Sequence, residues 1–243
     1  MNRQNLEQLL NATNVLRYIH TECAQSEHAR QGKDGGEWQP YIPTNFVYGF
    51  FTFNTLYNID WEESLNSGEV LSFSNGSEVE KWNAYITFCC KDTTFVETYC
   101  QHFINFIKHH YDIKEVRDII DTIERDEDTG NGRLKSYRVI RDFRNACKNI
   151  LIDGVCNKYI LTDIVTLIYK VRCNLFHGIK TLKELNDEKH KEKLKLYSLF
   201  LIAINQMVFS YLNYLNEGVV YDALYELKDE KIRRNRNCQL SNK

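Results

Sequence analysis

Residues 159–180, YILTDIVTLIYKVRCNLFHGIK, decide how the rest of the chain is read. From Tyr159 to Val171 the run is apolar and rich in β-branched side chains, with Asn157 before it and Gly178 after it. That is too long for one strand, and the flanks predict a buried helix stopping near Gly178. A polar cluster closes it: Arg172, Asn174, His177, Gly178 and Lys180. An arginine and a histidine with four residues between them arise by chance in roughly one chain in three of this composition, so the spacing alone decides nothing. What gives the pair interest is its place, at the end of a core helix.

Outward from this run, the same periodicity recurs. Both prolines, Pro40 and Pro43, lie before residue 44, which leaves everything downstream free to form long helices and predicts an all-α fold. Leu6, Leu9, Leu10, Leu16 and Ile19 mark an amphipathic first helix that gives way to a polar loop around Gln31 to Gly36. Trp38 to Pro43 reads as an extended connector, and Thr44 or Asn45 as the cap of an aromatic helix running to about Asn58. Ser64 to Ser77 has loop composition. Helices are then expected over Glu78–Lys91, Thr94–His110, Ile113–Arg125 and Leu134–Ile150, with a turn at Asp126–Gly132. Leu196 to Leu215 is apolar around most of its circumference, so it is either central to a bundle or part of a subunit interface. Val219–Leu227 reads as a short helix. The expected organisation is residues 1–36 as an N-terminal helix and loop, 37–227 as one helical domain, and 228–243 as a basic, flexible tail.

With 43% hydrophobic and 26% charged residues the composition is that of a folded globular chain. A net charge of −2 argues against binding nucleic acid by bulk electrostatics, so any such site must be local. One local candidate is the helix Leu134–Ile150. Arg138, Arg141, Arg144 and Lys148 share one of its faces and form a candidate phosphate track, opposite Val139, Phe143 and Cys147. A solvated charged face, partly neutralised by Asp142, accounts for the same pattern. The chain has eight cysteines; six of them sit in apolar runs with no secretion signal ahead, which predicts reduced, buried thiols and a cytoplasmic location. His102, His109 and His110 near Cys100 follow no zinc-ligand spacing, so no metal site is expected. No run reaches the length of a membrane span without a charge.

The stretch VRCNLFHGIK, residues 171–180, resembles the signature of the HEPN superfamily. These are α-helical domains whose Arg-x4-to-6-His motif is the active site of metal-independent ribonucleases. The polar residue usual directly after the arginine stands one place later here, as Asn174 behind Cys173, and the tyrosine many toxin members carry two residues after the histidine is Ile179. A second stretch, FVYGFFTFNTLYNIDW at residues 46–61, is similar to the aromatic helix of that superfamily, with Asn54 as its polar residue.

The resemblance implies a helical bundle over residues 40–215, catalysis by Arg172 and His177, and no metal or cofactor. It also implies a homodimer with two motifs facing one cleft, and an endoribonuclease of toxin–antitoxin or antiviral defence with a corresponding partner protein. The chemistry suits the residues. RNA carries its own nucleophile, the 2′-hydroxyl, so the enzyme must take up one proton, stabilise the charged phosphate and protonate the leaving oxygen. Histidine titrates near neutrality and serves as base or acid, while arginine holds phosphate oxygens in two-pronged fashion. The nearby Arg172 charge favours a neutral His177. Gly178 permits a helix-ending turn or a close phosphate approach, and Lys180 adds a further cation. The bland alternative makes His177 a helix cap and Arg172 the partner of a neighbouring carboxylate. Further alternatives are a HEPN module that only dimerises or binds RNA or protein, and an adaptor using the basic helix and tail.

Overall fold

Asn157 opens the helix that the apolar run predicts: its Oδ1 accepts from the backbone N–H groups of Tyr159 and Ile160 at 2.9 and 3.2 Å. The computed structural model describes residues 6–8, 10, 11, 14, 42–58, 77–128, 137–176 and 187–215. Among them the α-helices are α1 (Ile42–Asn58), α2 (Glu78–Cys89), α3 (Cys100–His110), α4 (Ile113–Asp128), α5 (Tyr137–Lys148), α6 (Lys158–Phe176) and α7 (Glu188–Leu215). No strand occurs among the described residues, and the fold is all-α.

Several boundaries differ from the sequence expectation, among them the end of α2 at Cys89 rather than Lys91. Helix α1 starts at Ile42, so Pro43 belongs to its first turn rather than to a connector ahead of a Thr44 or Asn45 cap. Proline fits there because first-turn N–H groups have no partner within the helix. Helix α4 continues to Asp128, through the start of the expected turn. Helix α5 ends at Lys148, short of Ile150, and the chain continues as a π-helical turn, Asn149–Asp153. Gly154 ends that turn at φ 65°, and Val155 N–H donates to the Asn149 carbonyl at 3.0 Å. A second π turn, Phe95–Tyr99, leads directly into α3. The expected loop after Asn58, the helix at Val219–Leu227 and the tail 228–243 lie outside the described residues.

Helix α7 is the central element. It packs against α1, α3, α4, α6 and the Phe95–Tyr99 turn, while α5 lies against α4 and α6, and α2 against α6 and α1. Side chains all round α7, among them Leu196, Phe200, Leu201, Ile204 and Leu212, are fully buried. By length and composition α7 could cross a membrane, yet 78% of its most apolar window is buried inside the chain. The chain itself therefore covers most of the apolar surface of α7, while Tyr214 remains exposed. Aromatic rings build much of the surrounding core: Phe143 meets Phe200 at 5.6 Å, Phe95 meets Tyr211 at 4.8 Å, and Phe53 meets Trp82 at 4.7 Å. Leu10, from the expected N-terminal helix, is buried in this same core.

Candidate active site around Arg172

Arg172 sits in the last two turns of α6, where the helix leaves the core, and its side chain is 24% exposed. Three aromatic rings surround the guanidinium, with centroids 4.9 Å (Phe176), 5.3 Å (Phe50) and 5.7 Å (Tyr169) from its carbon. All three lie within cation–π range. Two of them, Tyr169 and Phe176, come from α6 itself, and Phe50 comes from α1.

The counter-charge comes from α2. Arg172 Nη2 lies 3.6 Å from Glu78 Oε1, and Nη1 reaches the Cys173 sulfur at 3.9 Å. Glu78 is placed there by its helix start. Ser77 and Glu80 form a reciprocal cap: Ser77 N–H donates to Glu80 Oε2 at 2.7 Å, and Glu80 N–H to Ser77 Oγ at 3.4 Å. That cap fixes the first turn of α2, and Lys81 Nζ ties it to Asn58 Oδ1 of α1 at 3.1 Å. The pair is incompletely satisfied, since Arg172 Nε and Glu78 Oε2 are buried without a hydrogen-bond partner among the described groups.

Asn54 belongs to this neighbourhood. The Tyr57 hydroxyl donates to Asn54 Oδ1, and Tyr57 feels the charges of both Glu78 and Arg172. Burial first, and then the Glu78 carboxylate, push the Tyr57 hydroxyl well above its ordinary pKa. Beside Arg172 the exposed rings of Phe51 and Phe176 stack at 6.2 Å, joining α1 to the end of α6 on the outside of the bundle. Asn174 lies half-buried in the same final turns. His177, Gly178 and Lys180 lie outside the described residues. The chain matches no family model, no curated protein and no solved structure. What can be said of the site therefore comes from its own geometry. A guanidinium about a quarter exposed and held in place on several sides offers a fixed positive charge at the edge of the bundle.

The basic face of α5 is distributed differently from a continuous track. Arg138 and Arg141 both lean on Asp142, at 3.6 and 3.4 Å, and remain well exposed. Arg144 is committed to α4: its Nη2 lies 2.5 Å from Asp121 and 2.6 Å from Glu124, and its Nε lies 3.1 Å from Glu124. Burial works against the Arg144 charge, but the two carboxylates more than offset it and its pKa ends above the ordinary value. Lys148 is exposed, with no carboxylate partner among the described residues.

The six described cysteines are free. Burial raises the pKa of Cys89 and Cys147, a hydrogen bond in which the Cys156 thiol donates to Cys100 raises that of Cys156, and Cys90 is pushed up to about 12, mainly by burial. Such thiols are poor nucleophiles. His102, His109 and His110 point outward while Cys100 is buried, and no three potential ligands converge among the described residues.

Glu78 and Tyr57 are the site residues that sequence reasoning passed over. The pattern Ser77-x-x-Glu80 marks a helix start, and so the turn carrying Glu78, but nothing in it points to Arg172.

Proposed function

We propose that this chain is a metal-independent endoribonuclease of the HEPN type, acting through Arg172 and His177 on the 2′-hydroxyl and phosphate of RNA. One observation supports this above the others: the two stretches that carry the resemblance, far apart in sequence, meet in space. Phe50 and Phe51 of α1 meet Arg172 and Phe176 at the end of α6, and Tyr57, bonded to Asn54, feels the Arg172 charge. In this reading Arg172 holds the non-bridging phosphate oxygens, His177 accepts the 2′-hydroxyl proton, and the acid that protonates the leaving oxygen is His177 of a second copy across a two-fold axis. A role in toxin–antitoxin or antiviral defence, with a partner protein, belongs to the same proposal.

One observation favours a second reading, a non-catalytic HEPN module that dimerises or binds RNA or protein. Arg172 already has a carboxylate partner in Glu78, as a structural arginine would.

The decisive experiment is RNA cleavage by the pure chain in the presence of a strong chelator. Cleavage should persist, spare DNA and leave a cyclic phosphate. His177→Ala should remove about a hundredfold or more of the rate while the protein stays folded and sediments as the same dimer. A monomer at micromolar concentration, or no cleavage of any RNA offered, returns the motif to the second reading.

A further inference from the structure

Two rings at the edge of the Arg172 site stand half in solvent. Phe51 is 47% exposed and Phe176 44%, and they stack at 6.2 Å with their planes 25° apart. Both positions follow from helix geometry. Phe50 is buried beside the Arg172 guanidinium, so the next residue of α1, about 100° further round the helix, turns outward. Phe176 comes one turn after Arg172 on the same face of α6, its centroid 4.9 Å from the guanidinium carbon. Cation and rings are therefore contiguous: Arg172 meets Phe176, and Phe176 meets Phe51.

A lone exposed phenylalanine is ordinary, but two rings from separate helices, stacked in solvent beside a held cation, form a patch with its own chemistry. The core does not need Phe51, since α1 already buries Phe46, Phe50, Phe53 and Tyr57. What such a surface fits is a flat apolar face joined to a negative charge. An unpaired nucleotide has that form, and any base can stack on an aromatic ring. A paired base does not, because its faces are covered by its neighbours in the duplex. The net charge of −2 points the same way: attraction of a strand by bulk charge is weak, so binding needs a contact that charge does not supply. A second copy of the chain is the rival occupant of these rings, but it brings no phosphate to the cation beside them.

We propose that Phe51 and Phe176 form a stacking platform for an unpaired RNA base next to the phosphate at Arg172, and so restrict the site to single-stranded RNA. The phosphate at Arg172 rests on the ribonuclease reading; the base contact requires only that RNA binds there, whether or not it is cut.

The test is fluorescence polarisation of the full chain with a labelled single-stranded oligoadenylate, 2′-O-methylated so that it cannot be cut, and with the same strand paired to oligouridylate. Phe51→Ala, Phe51→Leu and Phe51→Trp are compared with the parent. Phe51 lies outside the core and is not one of the three rings around Arg172, so each variant should melt as the parent does. The parent should bind the single strand about tenfold or more tighter than the duplex; Phe51→Ala and Phe51→Leu should each lose about tenfold for the single strand, and Phe51→Trp should retain it. The factor lost should be the same at low and high salt, because stacking is not screened. No binding of the single strand, equal affinity of Phe51→Ala and the parent, or parental affinity in Phe51→Leu overturns the proposal. So does a change of Phe51→Ala from dimer to monomer in sedimentation with RNA affinity unchanged, which assigns the rings to contact between copies. Cleavage of the unmethylated strand is measured separately. Binding that depends on Phe51 without any cleavage removes the nuclease reading and keeps the platform, whereas cleavage that Phe51→Ala leaves unchanged keeps the nuclease and removes the platform.

Discussion

Arg172 carries a carboxylate at 3.6 Å, three rings within 6 Å and a buried Nε without a partner among the described groups. A charge so placed depends on its neighbours. Removing Glu78 leaves the guanidinium partly desolvated with only aromatic faces, and removing Arg172 leaves a half-buried carboxylate. The two substitutions should therefore couple. In urea unfolding, Glu78→Gln and Arg172→Ala together should cost less than the sum of the two alone, by about 1 kcal/mol for a pair this exposed. Strict additivity would mean that the contact contributes nothing to stability. Only the arginine was visible as a candidate in the sequence. The carboxylate that completes it is brought in by packing between α2 and α6, which periodicity does not encode.

Between elements, α1 comes close to α7 at Gly49. A Cβ built on Gly49 would lie 3.2 Å from Leu201 Cδ2, and Asn205 Nδ2 donates to the Gly49 carbonyl at 2.9 Å. The missing side chain lets the two backbones come near enough for that bond. Gly49→Leu should force them apart and lower stability by about 1–3 kcal/mol, read by chemical denaturation; unchanged stability would show that α1 can shift without loss. Helix periodicity made these elements legible: Phe46, Phe50, Phe53 and Tyr57 form the buried stripe of α1, and Asn157 caps α6 as its position suggests. The start of α1 was misread because Pro43 looks like a break, although the first turn tolerates it. The π turns left no trace in the apolar pattern, since one inserted residue shifts the register without changing composition. The ion pairs of Arg144 were equally hidden, because an arginine on a polar face looks the same whether solvent or another helix faces it.

Across the whole molecule, buried phenols set the alkaline limit. Burial raises the pKa of Tyr57, Tyr85 and Tyr211, and pushes Tyr111 up to about 12. In each case the fold favours the neutral hydroxyl. That contribution is complete below the ordinary tyrosine value of about 10, and it is lost as pH rises through the higher folded value. Tyrosinate absorbance from these residues should appear together with loss of helical circular dichroism, above the pH at which free tyrosine ionises. Full ionisation at the ordinary pH with helicity intact would contradict their burial. The sequence showed α7 as apolar all round without showing what surrounds it, because a pattern records how much surface must be covered and not by which neighbour. That neighbour relation reaches back to synthesis. A ribosome releases α1 long before the helix it packs against most extensively, and at ordinary elongation speeds the gap is roughly 10–30 s. Until Leu215 has emerged, the aromatic stripe of α1 lacks the helix that covers most of it and has mainly α2 to pack on, so the nascent chain carries a partly uncovered adhesive surface and is suited to chaperone capture during that interval.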